Sequence, residues 1–95
     1  MARNTHVTVG PDSYTELTNA AAASATVQAL TENVWIAALS APGTPPDDNG
    51  GAILLMAGVP IINEAFADLF PGVSGAARLY ARSCGTATKV MISHA

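Results

Sequence analysis

Apolar and polar positions alternate over short stretches of this chain, and turn-forming residues break the alternation. The period is two rather than 3.6, which predicts strands. Val7-Thr8-Val9 alternates and runs into Gly10-Pro11-Asp12-Ser13, a short strand followed by a turn. Tyr14 to Thr18 reads as a weak second strand. From Asn19 to Leu30 two readings compete. Ala20 to Ala23 is a run of the best helix former, with Thr18 or Asn19 placed to cap it. Ala25 to Thr31, in contrast, alternates and carries β-branched Thr26 and Val27. We read residues 25–31 as a strand, with the alanines as its lead-in.

Val34 to Ser40 is strand-rich and holds the single tryptophan, Trp35. The short polar step Glu32-Asn33 predicts a hairpin joining it to residues 25–31. Ala41 to Gly51 contains Pro42, Pro45, Pro46, Gly43, Gly50 and Gly51 and no bulky apolar side chain, so it predicts an exposed loop. A connection of that length in so small a domain points to a functional role. Ala52 to Ala57 is continuously apolar, as expected of a strand buried on both faces. Gly58-Val59-Pro60 turns the chain, and Ile61-Ile62 continues as an edge strand. Asn63 to Phe70 predicts one helical turn that tucks Phe66, Leu69 and Phe70 under the sheet, ended by Pro71-Gly72. Ala77–Arg82 and Ala87–Ser93 alternate across Ser83-Cys84-Gly85-Thr86 and read as a second hairpin.

Six or seven short strands separated by turn signals predict an all-β fold: a small antiparallel β-sandwich or barrel-like domain with one short helical turn near residues 63–70. No repeat, heptad or linker interrupts it. Residues 1–95 form a single β-rich domain, with residues 1–10 as an extended N-terminal arm.

Composition sharpens this picture. Hydrophobic residues make up 49% of the 95 residues, but 19 of them are alanine, and the aromatics are one Trp, two Tyr and two Phe. A chain this short buries about 60–65% of its unfolded surface. With so few bulky side chains the core is expected to be thin and to draw stability from partner subunits. Charged residues are 12% and the net charge is −3. Arg3, Arg78, Arg82 and Lys89 are scattered, which argues against nucleic-acid binding. A single cysteine, Cys84, excludes an internal disulfide framework and fits a reducing compartment. The first residues lack the apolar stretch of a signal peptide. The longest apolar run, Gly51 to Ile62, is too short for a membrane helix, so a soluble protein made in the cytoplasm is expected.

The candidate chemistry is thin. His6 and His94 lie near opposite ends of the sequence and read as exposed polar residues at strand ends. Cys84 sits in a turn without the His and Asn partners of a cysteine nucleophile. Asp47-Asp48-Asn49-Gly50 offers hard oxygen ligands but not the alternating set and closing Glu of a calcium loop. Gly72-Val73-Ser74-Gly75 is one residue short of a nucleophile elbow, and its glycines read as turn formers. Glu64 and Asp68, four apart, read as a solvated helical face. The chain is expected to be neither an enzyme nor a binder of metals or cofactors.

A charge-poor β-domain without a catalytic set suits a building block, because sheet edges accept added strands. The expected contact regions are the N-terminal tract Thr5, His6, Val7, Thr8 and Val9, the loop residues Pro42, Pro45, Pro46, Asp47 and Asp48, and the turn residues Pro71, Gly72 and Val73. Trp35 and Tyr80 are the candidate aromatic anchors, with core packing as the other reading of Trp35.

The stretch Leu69-Phe70-Pro71-Gly72-Val73-Ser74-Gly75-Ala76-Ala77-Arg78-Leu79-Tyr80-Ala81-Arg82, followed by Val90-Met91-Ile92-Ser93-His94-Ala95, resembles small virion structural proteins of tailed bacteriophages. The opening Val7-Thr8-Val9, the Val27-Gln28 strand, the Pro/Asp/Gly-rich loop and the apolar strand after it are similar to them too. The resemblance implies a β-sandwich capsid decoration (cement) protein. Such a protein is a homotrimer on the capsid exterior, near three-fold or quasi-three-fold positions, and its partner is the major capsid protein. The resemblance carries no site residue across. A tail, head-fibre or head-closure component and a host-surface binding module using residues 41–51 are the alternatives.

Overall fold

A computed structural model describes residues 2–95. The elements are β1 (Arg3–Val9), β2 (Thr15–Glu16), β3 (Ser24–Ala29), β4 (Val34–Leu39), β5 (Ile53–Leu55), β6 (Ile61–Ala65), α1 (Phe66–Leu69), β7 (Arg78–Ser83) and β8 (Thr88–His94). The strands form two antiparallel four-stranded sheets, ordered β1-β8-β3-β6 and β2-β7-β4-β5. The protein is an all-β sandwich, as the alternation predicts.

The alternation builds the core. β3 buries Ala25, Val27 and Ala29 and turns Ser24, Thr26 and Gln28 outward. Val90 and Ile92 of β8 extend that inner face, and Val34, Ile36 and Ala38 of β4 with Leu79 and Ala81 of β7 oppose it. Small residues at 25, 29, 38 and 81 leave room for Phe66, Leu17, Ile36 and Leu79, which are fully buried between the sheets. The one-turn helix α1 has no side-chain cap at Ala65. It is held by burial of Phe66 and Phe70, in the place the sequence predicts. The alanine run does not become helical. Ala22 N–H donates to the Ala77 carbonyl and Phe66 N–H donates to the Ala23 carbonyl, so tertiary hydrogen bonds outweigh local propensity.

The connections differ from the sequence expectation. Both predicted hairpins are arches between the sheets: β3 and β4 lie in different sheets, and so do β7 and β8. So do β1 and β2, and β5 and β6. The four arches turn at one end of the sandwich. There Thr31 and Thr88 hydroxyls share a 2.8 Å hydrogen bond and Cys84 N–H donates to the Asn33 carbonyl at 2.9 Å. Ala57 N–H donates to Asn33 Oδ1 at 2.9 Å. Residues 30–33 and 84–87 contain no positive-φ residue, which a tight two-residue hairpin turn requires. Among the described residues, β4 and β5 are the one sequence-adjacent pair of strands joined in a sheet, through residues 40–52.

Three further expectations are corrected. Residues 3–9 are not a free arm: every residue of β1 pairs in register with β8, from Arg3 opposite His94 to Val9 opposite Thr88. Residues 52–57 are not doubly buried: β5 is a three-residue edge strand with Leu54 exposed. Glu64 and Asp68 do not share a helix, since Glu64 lies in β6 and Asp68 in α1.

Candidate functional site

The long 40–52 connection folds back over the outer face of the β2-β7-β4-β5 sheet as a strap. The side chain that ties it down is Arg82. Its Nε donates to the Pro11 carbonyl at 2.8 Å and its Nη1 to the Asp47 carbonyl at 2.7 Å. Tyr14 Oη donates to Asn49 Oδ1 at 2.8 Å, and the Gly43 N–H donates to Tyr80 Oη at 3.0 Å. Asn49 sits at φ 60° and Gly51 at φ 76°, bending the strap back toward β5. At its other end the 71–75 turn passes close to Ser40: a Cβ added at Gly75 would lie 4.0 Å from the Ser40 Cβ. Burial pushes the Tyr14 phenol above its ordinary value, with Arg82 opposing and Cys84 and Asp48 adding to the rise.

These contacts redistribute the expected contact residues. Pro42, Pro46, Asp47 and Asp48 are exposed on the strap, but Pro45 is buried beneath it. Tyr80 is 4% exposed and its hydroxyl is engaged by the strap, so it is no anchor for a partner. Thr5, His6 and Thr8 are exposed on β1, Val7 is half-buried against the core, and Val9 is fully buried. Pro71 and Gly72 are exposed, while Val73 packs on the core. Trp35 is half-buried on the outer face, opposite Arg82 on one side and Leu54 on the other. Arg82 joins the strap at Asp47 to the residues after β1 at Pro11, and the 71–75 turn passes near the start of the strap at Ser40.

Groups with chemical capacity stay apart. His6 is exposed on β1, whereas His94 is 7% exposed on β8, with its Nε2 buried and without a hydrogen-bond partner. The sequence places both as exposed residues, but His94 is in phase with Val90 and Ile92 on the inner face of β8 and is buried there. A shallow depression on the outer face of β1 and β8 is lined by Asn4, Thr5, His6 and Met91. Cys84 is exposed in the arch between β7 and β8, where burial and the neighbouring Glu32 carboxylate push its thiol up. Among the described residues, no three His, Cys, Asp or Glu side chains gather as metal ligands, and no helix is long and apolar enough to cross a membrane.

The surface that the sequence reading misses is apolar. The large hydrophobics left exposed among the described residues are Leu30, Leu54, Met56, Val59 and Ile62. Leu54 lies on β5, Ile62 on β6, Met56 and Val59 on the turn between them and Leu30 just after β3; the register turns Leu54 outward from one sheet and Ile62 outward from the other. No charged residue occurs from Asn49 to Asn63. An apolar run on an edge strand looks the same in sequence as one in a sheet centre, so only the pairing shows that this one faces outward.

No family model, no curated protein and no solved structure matches the chain.

Proposed function

We propose that this chain is a non-enzymatic structural protein of a tailed-bacteriophage virion. In this reading it is a capsid decoration protein that sits as a homotrimer on the outer surface of the assembled head and stabilises it. The reading starts from the sequence resemblance. The observation that carries it is a set of exposed large apolar side chains, Leu54, Met56, Val59 and Ile62, on the uncharged stretch from Asn49 to Asn63. A protein that works alone does not need to leave such side chains in water, whereas a subunit buries them. The partner is the major capsid protein. The exposed residues of β1, of the strap and of Pro71-Gly72 remain available to contact it. Binding to the assembled shell but not to free subunits then stabilises the shell by mass action.

The test is copy number and order of addition. Purified virions should contain this chain in a fixed ratio near that of the major capsid protein. Recombinant protein should co-sediment with expanded, undecorated heads and not with free capsid subunits. A few copies per particle would move the protein to the tail or head-closure machinery. Failure to bind any head would end the decoration reading. The host-surface alternative relies on a freely projecting 41–51 loop, and the strap is pinned at Gly43, Asp47 and Asn49.

A further inference from the structure

We infer that Asn49-Gly50 is a self-modification site guarded by the strap, where Asn49 converts to isoaspartate when the strap opens. The inference goes beyond the virion reading and does not rest on it. Of the asparagines at 4, 19, 33, 49 and 63, only Asn49 precedes a glycine. Glycine has no Cβ to shield its backbone nitrogen, so the Gly50 nitrogen can close a succinimide ring onto the Asn49 side chain. Such an intramolecular acyl transfer goes at a rate set by whether the two groups are held together or apart.

In the first step the Gly50 nitrogen bonds to Asn49 Cγ and the Cγ–Nδ2 bond breaks. Nδ2 leaves as ammonia, carrying the Gly50 amide proton. Water then opens the ring. Attack at Cγ restores the ordinary main chain and gives aspartate. Attack at the main-chain carbonyl carbon of residue 49 breaks its bond to Gly50 and leaves the chain running through Cγ, which is isoaspartate. One water is consumed and one ammonia released, with no oxidation.

The closed strap holds both reacting groups off this path. Asn49 Oδ1 accepts the Tyr14 hydroxyl at 2.8 Å, which fixes the side-chain amide. The Gly50 N–H donates to Asp48 Oδ1 at 2.9 Å, so the nucleophile is engaged by another residue. Asn49 N–H donates to the Pro46 carbonyl at 3.2 Å, and the Asn49 carbonyl accepts from Ala52 N–H at 3.0 Å. These bonds hold the backbone at Asn49 in its left-handed φ of 60°. Bringing Cγ onto the Gly50 nitrogen makes both groups turn from their partners, so the reaction draws on the strap-open population.

The product does not rebuild the same strap. Isoaspartate adds a methylene to the main chain between Pro46 and Ala52 and turns the carbonyl that accepts from Ala52 into a carboxylate. That charge follows Asp47 and Asp48 in a molecule already at −3. Conversion is a one-way record of opening.

The experiment is peptide mapping by mass spectrometry of the full chain, incubated at neutral pH as native wild type, as wild type unfolded in urea, and as native Tyr14→Phe. Conversion is scored by the mass gained when an amide becomes an acid, and the isoaspartyl peptide by its separation from the aspartyl one. The unfolded chain should convert at residue 49 before any other asparagine, and the native wild type more slowly. Tyr14→Phe removes one hydrogen bond from the closed strap and should speed native conversion about fivefold. Native and unfolded chains converting at one rate, another asparagine converting first in the unfolded chain, or Tyr14→Phe no faster than wild type would overturn the inference. Should Tyr14→Phe fail to fold by circular dichroism, wild type in sub-denaturing urea decides. Conversion that rises in step with hydrogen exchange of residues 42–50 supports the inference, and conversion independent of that exchange removes it.

Discussion

Arg82 reaches across 35 residues of sequence to donate its Nη1 to the Asp47 carbonyl at 2.7 Å, while its Nε holds the Pro11 carbonyl. One side chain thereby joins three segments: β7, the strap and the turn after β1. The planar fork of arginine suits two carbonyls at once, which a lysine ammonium on a flexible stem does not.

Replacing Arg82 with Ala or Lys is expected to loosen the strap without unfolding the sandwich. The cost is about 1 kcal/mol, because both hydrogen bonds lie at the surface. Hydrogen exchange should rise over residues 42–50 in both variants, and proteases should cut there first. Tyr80→Phe removes the acceptor of the Gly43 N–H and should release that end of the strap alone, at a similar cost. Unchanged exchange in Arg82→Ala would mean that the strap is held by Pro45 burial instead.

The half-buried phenol of Tyr14 makes the strap sensitive to alkali. The folded state holds the phenol proton more tightly than the unfolded chain does. Its contribution to stability is therefore complete below the ordinary phenol value, about pH 10, and is lost as pH rises from there through the raised value. Ionisation also deprives Asn49 Oδ1 of its donor. Denaturation midpoints at pH 9 and pH 11 should fall further in the wild type than in Tyr14→Phe. Equal slopes would contradict this.

Cys84 should react slowly for an exposed thiol. Burial first and Glu32 second raise its pKa, so less thiolate is present at neutral pH than in a free cysteine. Alkylation by iodoacetamide at pH 8 should lag behind that of the unfolded chain. Glu32→Gln should quicken it, since the neighbouring negative charge is gone.

The helical turn α1 exists because Phe66 is fully buried between the sheets, not because its four residues favour a helix. Phe66→Ala is expected to cost about 3–5 kcal/mol, enough to unfold much of a domain this small. Exposed Ala67→Gly should cost no more than about 1 kcal/mol. Thermal denaturation of the two variants separates packing from propensity.

The period-two alternation at 25–31, 77–82 and 87–93 determined the all-β class, and the spacing of Phe66, Leu69 and Phe70 determined the single helical turn. Both are local: alternation states which face of a strand is apolar, and that information lies within the strand. Only the tertiary structure decided that β3 and β4, and β7 and β8, are arches rather than hairpins, because an arch and a hairpin demand the same alternation. It alone decided that residues 52–57 supply an edge strand and that the chain opens and closes on one pair of strands, with Arg3 opposite His94. Those outcomes depend on which strand edges remain free once distant segments have packed. Tyr80 passed from candidate anchor to strap support for the same reason: its partner, Gly43, lies 37 residues away. Face is written in short-range periodicity; neighbour and exposure are set by pairing across nearly the whole length of the chain.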